Sequence, residues 1–252
     1  MLTPAQRDRV EIVLVSPRNP LNIGAAARAM ANFGFSRLSV AAPYAPHWRE
    51  AKSAVGAPEI LSHAGEFPAL AEALAGCTFV AGTGTLTHRK PEQPVVPLHA
   101  LAPLLLRELD RGDPAGRIAL VFGPEKHGLT RDDLSFCHVL VEIPTDPRQP
   151  SMNLGQAVAV CLYELARPIP AGEPASRAHP AAASAQLDRL ADLIEQTMVA
   201  ARYSPAAMQE SNRHDLRLLL RRLNLSPADL RRVLGLFRRI LWRLGNPPSG
   251  RA

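Results

Sequence analysis

The sequence predicts an α/β protein, in which a parallel sheet carries helices on both faces and is followed by a small all-helical extension. Over residues 1–166, short apolar runs of strand length alternate with segments of helical periodicity, which indicates a parallel sheet. A stretch rich in proline and alanine, 167–185, then breaks the alternation, as an extended linker does. Residues 186–252 show only helical periodicity. We therefore expect two domains, 1–166 and 186–252, joined by this linker.

Each element follows from its local pattern. Strands are expected where short runs are mostly apolar and often β-branched, at 10–15, 37–41, 77–82, 117–122 and 139–143. Helices are expected where apolar residues recur every three or four positions, at 20–32, 66–75, 98–109, 130–136 and 154–165. Pro20 suits a first helical turn and Gly34 a helix end. In the extension, the same pattern predicts helices at 187–202, 215–223 and 226–244.

The composition narrows the class of protein. With 252 residues, 46% of them hydrophobic, the chain can bury a core of its own. Its apolar runs are shorter than the roughly 20 residues that span a bilayer, and its N-terminus does not resemble a signal peptide. We therefore expect a cytoplasmic protein without membrane contact. The 3 cysteines and 8 histidines do not have the spacing of disulfide frameworks or zinc ligands, so we expect no metal.

Positive charge is concentrated at the end of the chain. From residue 202 onward there are 11 arginines and 3 acidic residues, a net charge of +8, whereas the whole chain carries +6. Such a patch is typical of a surface that binds phosphates, although a solvated helix face gives the same pattern. If the patch binds RNA, the candidate contacts are Arg217, Arg221, Arg222, Arg231 and Arg232.

Residues 139–164 combine a strand, a loop and a helix. Pro144, Pro147 and Pro150 prevent both a continued strand and an early helix start, so an ordered loop is expected between them. Ser151 or Asn153 then caps the helix. In open α/β sheets, ligands bind beside the carboxyl ends of the strands. This loop is therefore a candidate binding site.

The segment Gly123 to Thr130 has the glycine spacing of a phosphate-binding loop. That motif requires lysine directly after the second glycine, but Leu129 stands there, and the carboxylate of Glu125 would repel phosphate. The sequence therefore does not favour a nucleoside triphosphatase function. A tight strand-to-helix turn without any ligand remains the alternative interpretation.

Three stretches together resemble a known family. They read NPLNIGAAARAM at 19–30, VFGPEKHGL at 121–129 and IP…PSMNLGQAVAVCLYE at 143–164. In this order they resemble the three signatures of the SPOUT methyltransferases, in the TrmH-like branch and its TrmJ-like subfamily. The resemblance implies a C-terminal trefoil knot, a homodimer with shared sites, and S-adenosylmethionine as cofactor. It also implies methylation of a ribose 2′-hydroxyl in tRNA, with position 32 of the anticodon loop as the expected target.

Two alternatives to that function stay open. One is 2′-O-methylation of ribosomal RNA by the same chemistry. The other is an RNA-binding protein that keeps the fold but catalyses no reaction.

The resemblance also implies roles for individual residues. Arg28, Asn22 and Ser151 are the expected catalytic residues, and Arg28 and Arg89 are expected to contact RNA. A guanidinium stays protonated at ordinary pH, so we expect Arg28 to stabilise the forming alkoxide rather than to act as a base. Asn22 is expected to cap its helix. The expected cofactor-binding residues are Thr83, Gly84, Thr85, Gly123, Ile143, Ser151, Met152 and Asn153.

Overall fold

The computed structural model describes residues 1–44, 46–51, 53–84, 91–111, 116–167, 181–203, 205 and 208–246. Within these residues, seven strands form one sheet in which every pairing is parallel. The strands are β1 (Val10–Val15), β2 (Arg37–Ala41), β3 (Gly65–Phe67), β4 (Cys77–Thr83), β5 (Val95–Pro97), β6 (Arg117–Phe122) and β7 (Val139–Glu142). Their order across the sheet is β3-β2-β1-β6-β4-β7-β5. The predicted parallel sheet is confirmed.

Helices cover both faces of this sheet and form the C-terminal extension. They are α1 (Pro4–Arg7), α2 (Pro20–Phe33), α3 (Pro58–Ser62), α4 (Leu70–Ala73), α5 (Leu101–Asp110), α6 (Arg131–Ser135), α7 (Leu154–Ala166), α8 (Ser184–Ala200), α9 (Gln209–Leu223) and α10 (Pro227–Gly245). Short 3-10 turns at Trp48–Glu50 and Leu98–Ala100 complete the described elements.

Strand β1 lies in the interior of the sheet and is buried on both faces. Successive side chains of a strand point to opposite faces. Accordingly, Leu14 belongs to the larger apolar core with Ile23 and Val158, whereas Val13 belongs to a smaller core with Leu74 on the other face. Burial on both faces explains why this strand reads as a continuous apolar run rather than as an alternating pattern.

Several predicted boundaries are wrong. The helix expected at 66–75 is instead the short strand β3 followed by α4, because Gly65 pairs with Ser39 of β2. Helix α9 begins at Gln209 and not at 215. Helix α8 begins at Ser184, inside the range expected to be linker. Positions 168–180 of that linker lie outside the described residues.

Helices α2 and α7 pack side by side through small residues. A Cβ atom at Gly155 would lie 2.7 Å from the Cβ of Ala25, so the absence of a side chain allows the two backbones to approach. The rings of Phe33 and Tyr163 meet 6.2 Å apart. Both partners of the second contact lie eight positions after those of the first, so the helices run in the same direction. Their N-termini are therefore neighbours.

The C-terminal helices form their own small core and also rest on the sheet domain. Leu190, Leu220 and Leu230 pack together between α8, α9 and α10. The N–H of Ala185 donates to the carbonyl of Ala75 at 3.4 Å. None of the described helices combines the length and the apolar content that crossing a bilayer requires.

We expect Gly155→Ala to lower the free energy of unfolding by about 1–3 kcal/mol, because the new methyl group overlaps Ala25 in a packed interface. Urea unfolding measures this change. Adding Ala25→Gly should recover most of the loss. Gly235→Ala in α10 is the matched control, because no atom lies within 4 Å of the added Cβ, and it should be neutral or stabilising by about 0.5–1 kcal/mol. Equal effects at both glycines would contradict the packing explanation.

Candidate functional site

A cleft of about 700 Å³ opens at the carboxyl ends of β4, β6 and β7. Parallel strands end at the same edge of a sheet, so the loops that follow them share its walls. A volume of this size is typical of small-molecule sites. The lining residues are Thr83, Gly84, Phe122 to Gly128, Glu142 to Thr145, Pro147, Pro150 to Met152, Leu154 and Ala157.

A chain of hydrogen bonds beside the cleft joins the three resembling stretches. The amide nitrogen of Asn22 donates to Oε1 of Glu125 at 2.7 Å. The amide nitrogen of Asn153 donates to the amide oxygen of Asn22 at 2.9 Å. Asn22 lies more than a hundred sequence positions before both of its partners. The three stretches therefore meet at one place in the fold.

Asparagines cap the two helices that meet here. Asn19 caps α2, because its side-chain oxygen accepts from the N–H of Leu21 at 2.9 Å. The expectation that Asn22 is the cap is therefore wrong, since Asn22 lies inside the first turn and bonds to Glu125. Asn153 caps α7 by accepting from the N–H of Gly155 at 2.9 Å. This bond decides between Ser151 and Asn153 as the cap.

The carboxyl group of Glu125 is held in its ionised form. Partial burial opposes ionisation, but the hydrogen bond from Asn22 and the backbone N–H groups of Arg18 and Asn19 outweigh that effect. The pKa of Glu125 is consequently below its usual value. An ionised carboxylate only accepts hydrogen bonds, so it fixes the direction of every donor around it.

The loop that carries Glu125 folds back tightly on itself. A Cβ atom at Gly123 would lie 2.2 Å from the backbone nitrogen of Leu129, so glycine is required by the loop's own backbone as well as by any ligand. Gly128 has φ +64°, a left-handed conformation that favours glycine. Leu129 is 1% exposed and belongs to the core. Leu129 occupies the position that lysine has in a phosphate-binding loop. Its side chain is therefore buried in the core and turned away from the cleft.

Comparison with known proteins decides the family. Residues 9–163, more than half of the chain, match the model of the SpoU rRNA Methylase family. This chain belongs to the SpoU methylase family. The fold, the cleft and the three joined loops are therefore those of a family member, and the predicted family is confirmed.

Several relatives of this SpoU family member carry the name TrmJ. It is 42% identical over 159 residues to the tRNA (cytidine/uridine/adenosine-2′-O-)-methyltransferase TrmJ of Pseudomonas aeruginosa, a match that covers 63% of this chain and 60% of that protein. It is 31% identical over 234 residues to TrmJ of Pectobacterium atrosepticum, with coverage of 91% and 95%. The crystal structure of TrmJ from Z. mobilis ZM4 aligns with a TM-score of 0.78 at 29% identity and covers 91% of this chain and 98% of that one. The predicted TrmJ-like subfamily is confirmed.

Most residues expected to bind the cofactor line the cleft. The hydroxyl of Thr83 donates to the carbonyl of Val121 at 3.0 Å, so its hydrogen is already used within the sheet. Asn153 does not line the cleft, because its side chain caps α7. Thr85 and Arg89 lie outside the described residues. The expected residues that do line the cleft are Thr83, Gly84, Gly123, Ile143, Ser151 and Met152.

Arg28 lies on α2, on the exposed side of an otherwise largely buried run of small residues. It is absent from the lining of the cleft. Within the part of the chain that the structure describes, no hydrogen bond or ion pair holds its guanidinium. Its five N–H donors therefore face solvent.

The arginines of the extension divide into an inner and an outer set. Arg221 is 3% exposed, donates to the carbonyl of Phe136 at 2.9 Å and pairs with Asp188. The expectation that Arg221 contacts RNA is therefore wrong, because it is buried against the sheet domain. Arg217 is also mostly buried and pairs with Asp132 at 2.8 Å. The arginines of the outer set, which are exposed, are Arg222, Arg231 and Arg232.

Sequence reasoning left the role of Glu125 open and did not select other residues of the cleft. Lys126 and His127 belong to the same loop, and Glu142 ends β7. The available sequence signal was that all three lie at the end of a predicted strand or in the loop that follows one. The partnership of Asn22 with Glu125 has no such signal, because it depends on how three loops meet.

Two further groups of side chains have the residue types of metal ligands or nucleophiles. Glu92, His214 and Asp215 have potential ligand atoms within 4.8 Å of one another, but Glu92 already accepts from the guanidinium of Arg131 at 3.0 Å, so we assign no metal to them. Burial raises the pKa of each of the three thiols to about 12. These cysteines, at 77, 137 and 161, are thus protonated core residues and not nucleophiles.

We expect Glu125→Gln to lower the free energy of unfolding at neutral pH, because the amide loses the charge that its donors stabilise. The pKa of Glu125 is depressed in the folded state, so its contribution is present above the unfolded value of about 4.5 and is lost as the pH falls through the folded value. Urea unfolding at pH 7 and at pH values below about 4.5 should show the difference between variant and parent shrinking. A deficit that stays constant with pH would contradict ionisation as the cause.

Proposed function

We propose that this chain transfers a methyl group from S-adenosylmethionine to a ribose 2′-hydroxyl of tRNA in the cytoplasm. The observation that carries this proposal is the cleft beside the Glu125–Asn22–Asn153 hydrogen-bond chain, which joins all three stretches that resemble the family's signatures. The names of the relatives from P. aeruginosa and P. atrosepticum support the tRNA substrate. Position 32 of the anticodon loop and a trefoil knot are part of the proposal through the family resemblance.

The residues of the cleft fit the cofactor. The partly exposed apolar side chains of Ile143 and Met152 offer a surface for a purine, and the strand ends around them offer backbone polar groups. Among the described residues, no atom lies within 4 Å of a Cβ built on Gly84 at the end of β4. When bound, S-adenosylmethionine supplies an electrophilic methyl group on a sulfonium. Ser151, exposed at the cleft, is placed to orient either that group or the sugar.

Arg28 is the residue that we assign to the sugar oxygen. In the reaction, the bond between the methyl carbon and sulfur breaks as the bond between that carbon and the 2′-oxygen forms, and the hydroxyl proton passes to water. The oxygen gains negative charge as it loses this proton. A guanidinium, which stays protonated, stabilises that charge and can also hold the neighbouring phosphate.

We propose that a second copy of the chain brings its Arg28 to the cleft. In a single chain Arg28 does not line the cleft. The same pair of helices exposes apolar side chains, since Leu21 is 55% exposed and Tyr163 57%. We infer that this face packs against the same face of a second copy, as in an isologous dimer. The arginine of each chain then serves the cleft of its partner.

The outer arginines of the extension are the proposed RNA surface. Helix α10 places Arg231 and Arg232 on exposed positions with a single acidic residue, Asp229, in its first turn. An RNA backbone is the polyanion that such a surface attracts. The inner arginines instead hold the extension on the sheet domain.

Ribosomal RNA is the second candidate substrate. The family description names rRNA, and the cleft does not distinguish the two RNA classes. A protein that binds RNA without catalysis is the third. Nucleoside mass spectrometry of tRNA and rRNA, from cells with and without the gene, separates these possibilities. Loss of one 2′-O-methylated nucleoside from tRNA alone supports the proposal. No loss from either RNA, together with no heat on titration with S-adenosylmethionine, would overturn it.

We expect Arg28→Ala to reduce methylation at least about a hundredfold, because removing one preorganised donor to a developing oxyanion typically costs that much. The affinity for S-adenosylmethionine should stay within about twofold, since Arg28 lies outside the cleft. Single-turnover kinetics and calorimetry measure the two quantities. Near-normal turnover would remove Arg28 from the mechanism.

A mixing experiment tests whether the site is shared. Gly84→Phe should fill the cleft without disturbing the fold, because no atom of the described residues lies within 4 Å of a Cβ there, and should by itself be inactive. Mixed with Arg28→Ala, it forms heterodimers in which one site has both an open cleft and an arginine from the other chain. Activity should then recover. No recovery after confirmed subunit exchange would show that each chain uses its own arginine.

We expect replacement of Arg222, Arg231 and Arg232 by glutamine to weaken RNA binding and to flatten its dependence on salt. Each lost phosphate contact changes the slope of log affinity against log salt by about 0.7 for single strands. Filter binding at several salt concentrations measures the slope. Arg221→Gln is the contrasting control, because it should lower stability rather than change the slope. An unchanged slope in the triple variant would identify the outer arginines as a merely solvated face.

A further inference from the structure

Two neighbouring loops leave the sheet through strained residues. Ser16 follows β1 with φ 43°, and Ala42 follows β2 with φ 47°, a left-handed conformation that residues other than glycine rarely adopt. Each residue still makes one further hydrogen bond of the sheet. The backbone N–H of Ser16 donates to the carbonyl of Ala41, and the backbone N–H of Ala42 donates to the carbonyl of Phe67, each at 2.8 Å. Such strain persists only where the surrounding structure enforces it, and it clusters at functional sites.

These turns bring two side chains together above the sheet edge. A proline follows each strained residue, and the N–H of Tyr44 donates to the carbonyl of Pro17 at 3.4 Å. The guanidinium carbon of Arg18 lies 5.4 Å from the centre of the Tyr44 ring. Tyr44 is 73% exposed, so its ring adds little to the core and presents a face to solvent.

The pair lies beside the cleft, outside the residues that line it. The backbone N–H of Arg18 donates to Oε2 of Glu125 at 3.1 Å, and Glu125 is itself part of the cleft wall. The Arg18 side chain is exposed, and among the described residues its only recorded partner is the Tyr44 ring. Its hydrogen-bond donors are therefore available to a ligand that extends beyond the cleft.

An exposed aromatic ring beside an unpaired arginine suits one kind of ligand. Unpaired bases of RNA stack on aromatic rings and on guanidinium planes, and the arginine fork also binds phosphate. A positive group with no acidic partner favours a polyanion over an ordinary protein surface. Duplex RNA does not offer a base for stacking, because its bases are already stacked on one another.

We propose that Arg18 and Tyr44 form a clamp for an unpaired RNA base adjacent to the methylated nucleotide. This inference rests on the proposed function and adds a substrate contact to it. The clamp selects a loop or another single-stranded segment as substrate, because the base must leave its stack to reach Tyr44. The strained turns at Ser16 and Ala42 hold the clamp in place before RNA arrives, so binding does not have to order it.

The test uses the full-length chain and an unmodified tRNA transcript, with 2-aminopurine placed in turn at each unpaired anticodon-loop position. Stacking on Tyr44 should change the fluorescence at one position. Tyr44→Leu should abolish that change and raise the KM for tRNA about tenfold, in line with the loss of one base–aromatic stack. Arg18→Gln should also raise KM, whereas Tyr44→Phe should restore both readouts. The affinity for S-adenosylmethionine should be unchanged in all three variants.

Tyr203→Leu is the matched control, because Tyr203 is equally exposed, at 75%, but lies beyond α8. It should leave the fluorescence and KM as in the parent. The clamp is overturned if the parent methylates tRNA and Tyr44→Leu keeps the parental KM and fluorescence, or if Tyr44→Leu instead weakens dimerisation in sedimentation experiments. If the parent methylates neither tRNA nor rRNA, the proposed function fails first and the clamp fails with it.

Discussion

The site depends on one negative charge, the carboxylate of Glu125. As an acceptor it fixes the amide nitrogen of Asn22 toward itself, which leaves the Asn22 oxygen facing Asn153. Asn153 must then present its nitrogen to Asn22 and its oxygen to the first N–H groups of α7. Every amide orientation follows from the first, so neither asparagine can flip without placing like groups against each other. The charge thus holds three distant segments in one arrangement.

This arrangement requires the two helices to begin side by side. Close contact between Ala25 and Gly155 places the N-termini of α2 and α7 next to each other. Both N-termini carry unsatisfied N–H groups and partial positive charge. A carboxylate is favourable at such a place, and the backbone N–H groups of Arg18 and Asn19 bind it directly. Packing of small residues therefore prepares the electrostatic environment in which Glu125 stays ionised.

The sequence was sufficient where one residue pattern decides one element. The strands 10–15, 37–41 and 117–122 were predicted at their observed bounds because each is a short, mostly apolar run rich in β-branched or aliphatic residues, the pattern of a buried parallel strand. β3 was missed because three residues carry no periodicity and the strand exists only through its partner, β2. The cap at Asn19, rather than Asn22, depends on how far the preceding loop bends. The inward direction of Arg221 depends on which side of α9 meets the sheet domain. A count of charges along the sequence does not contain that information.

The burial of Arg221 also limits how the extension can act. Two arginines of α9 bind residues of the sheet domain: Arg221 donates to the carbonyl of Phe136, and Arg217 pairs with Asp132. The ion pair of Arg221 with Asp188 instead joins α9 to α8 within the extension. Helix α10 packs with α8 and α9 in one small core, so the RNA surface proposed on α10 lies at a fixed distance from the cleft. A substrate with a rigid folded shape spans such a distance better than a short flexible strand, and this favours a folded RNA such as tRNA over an isolated loop.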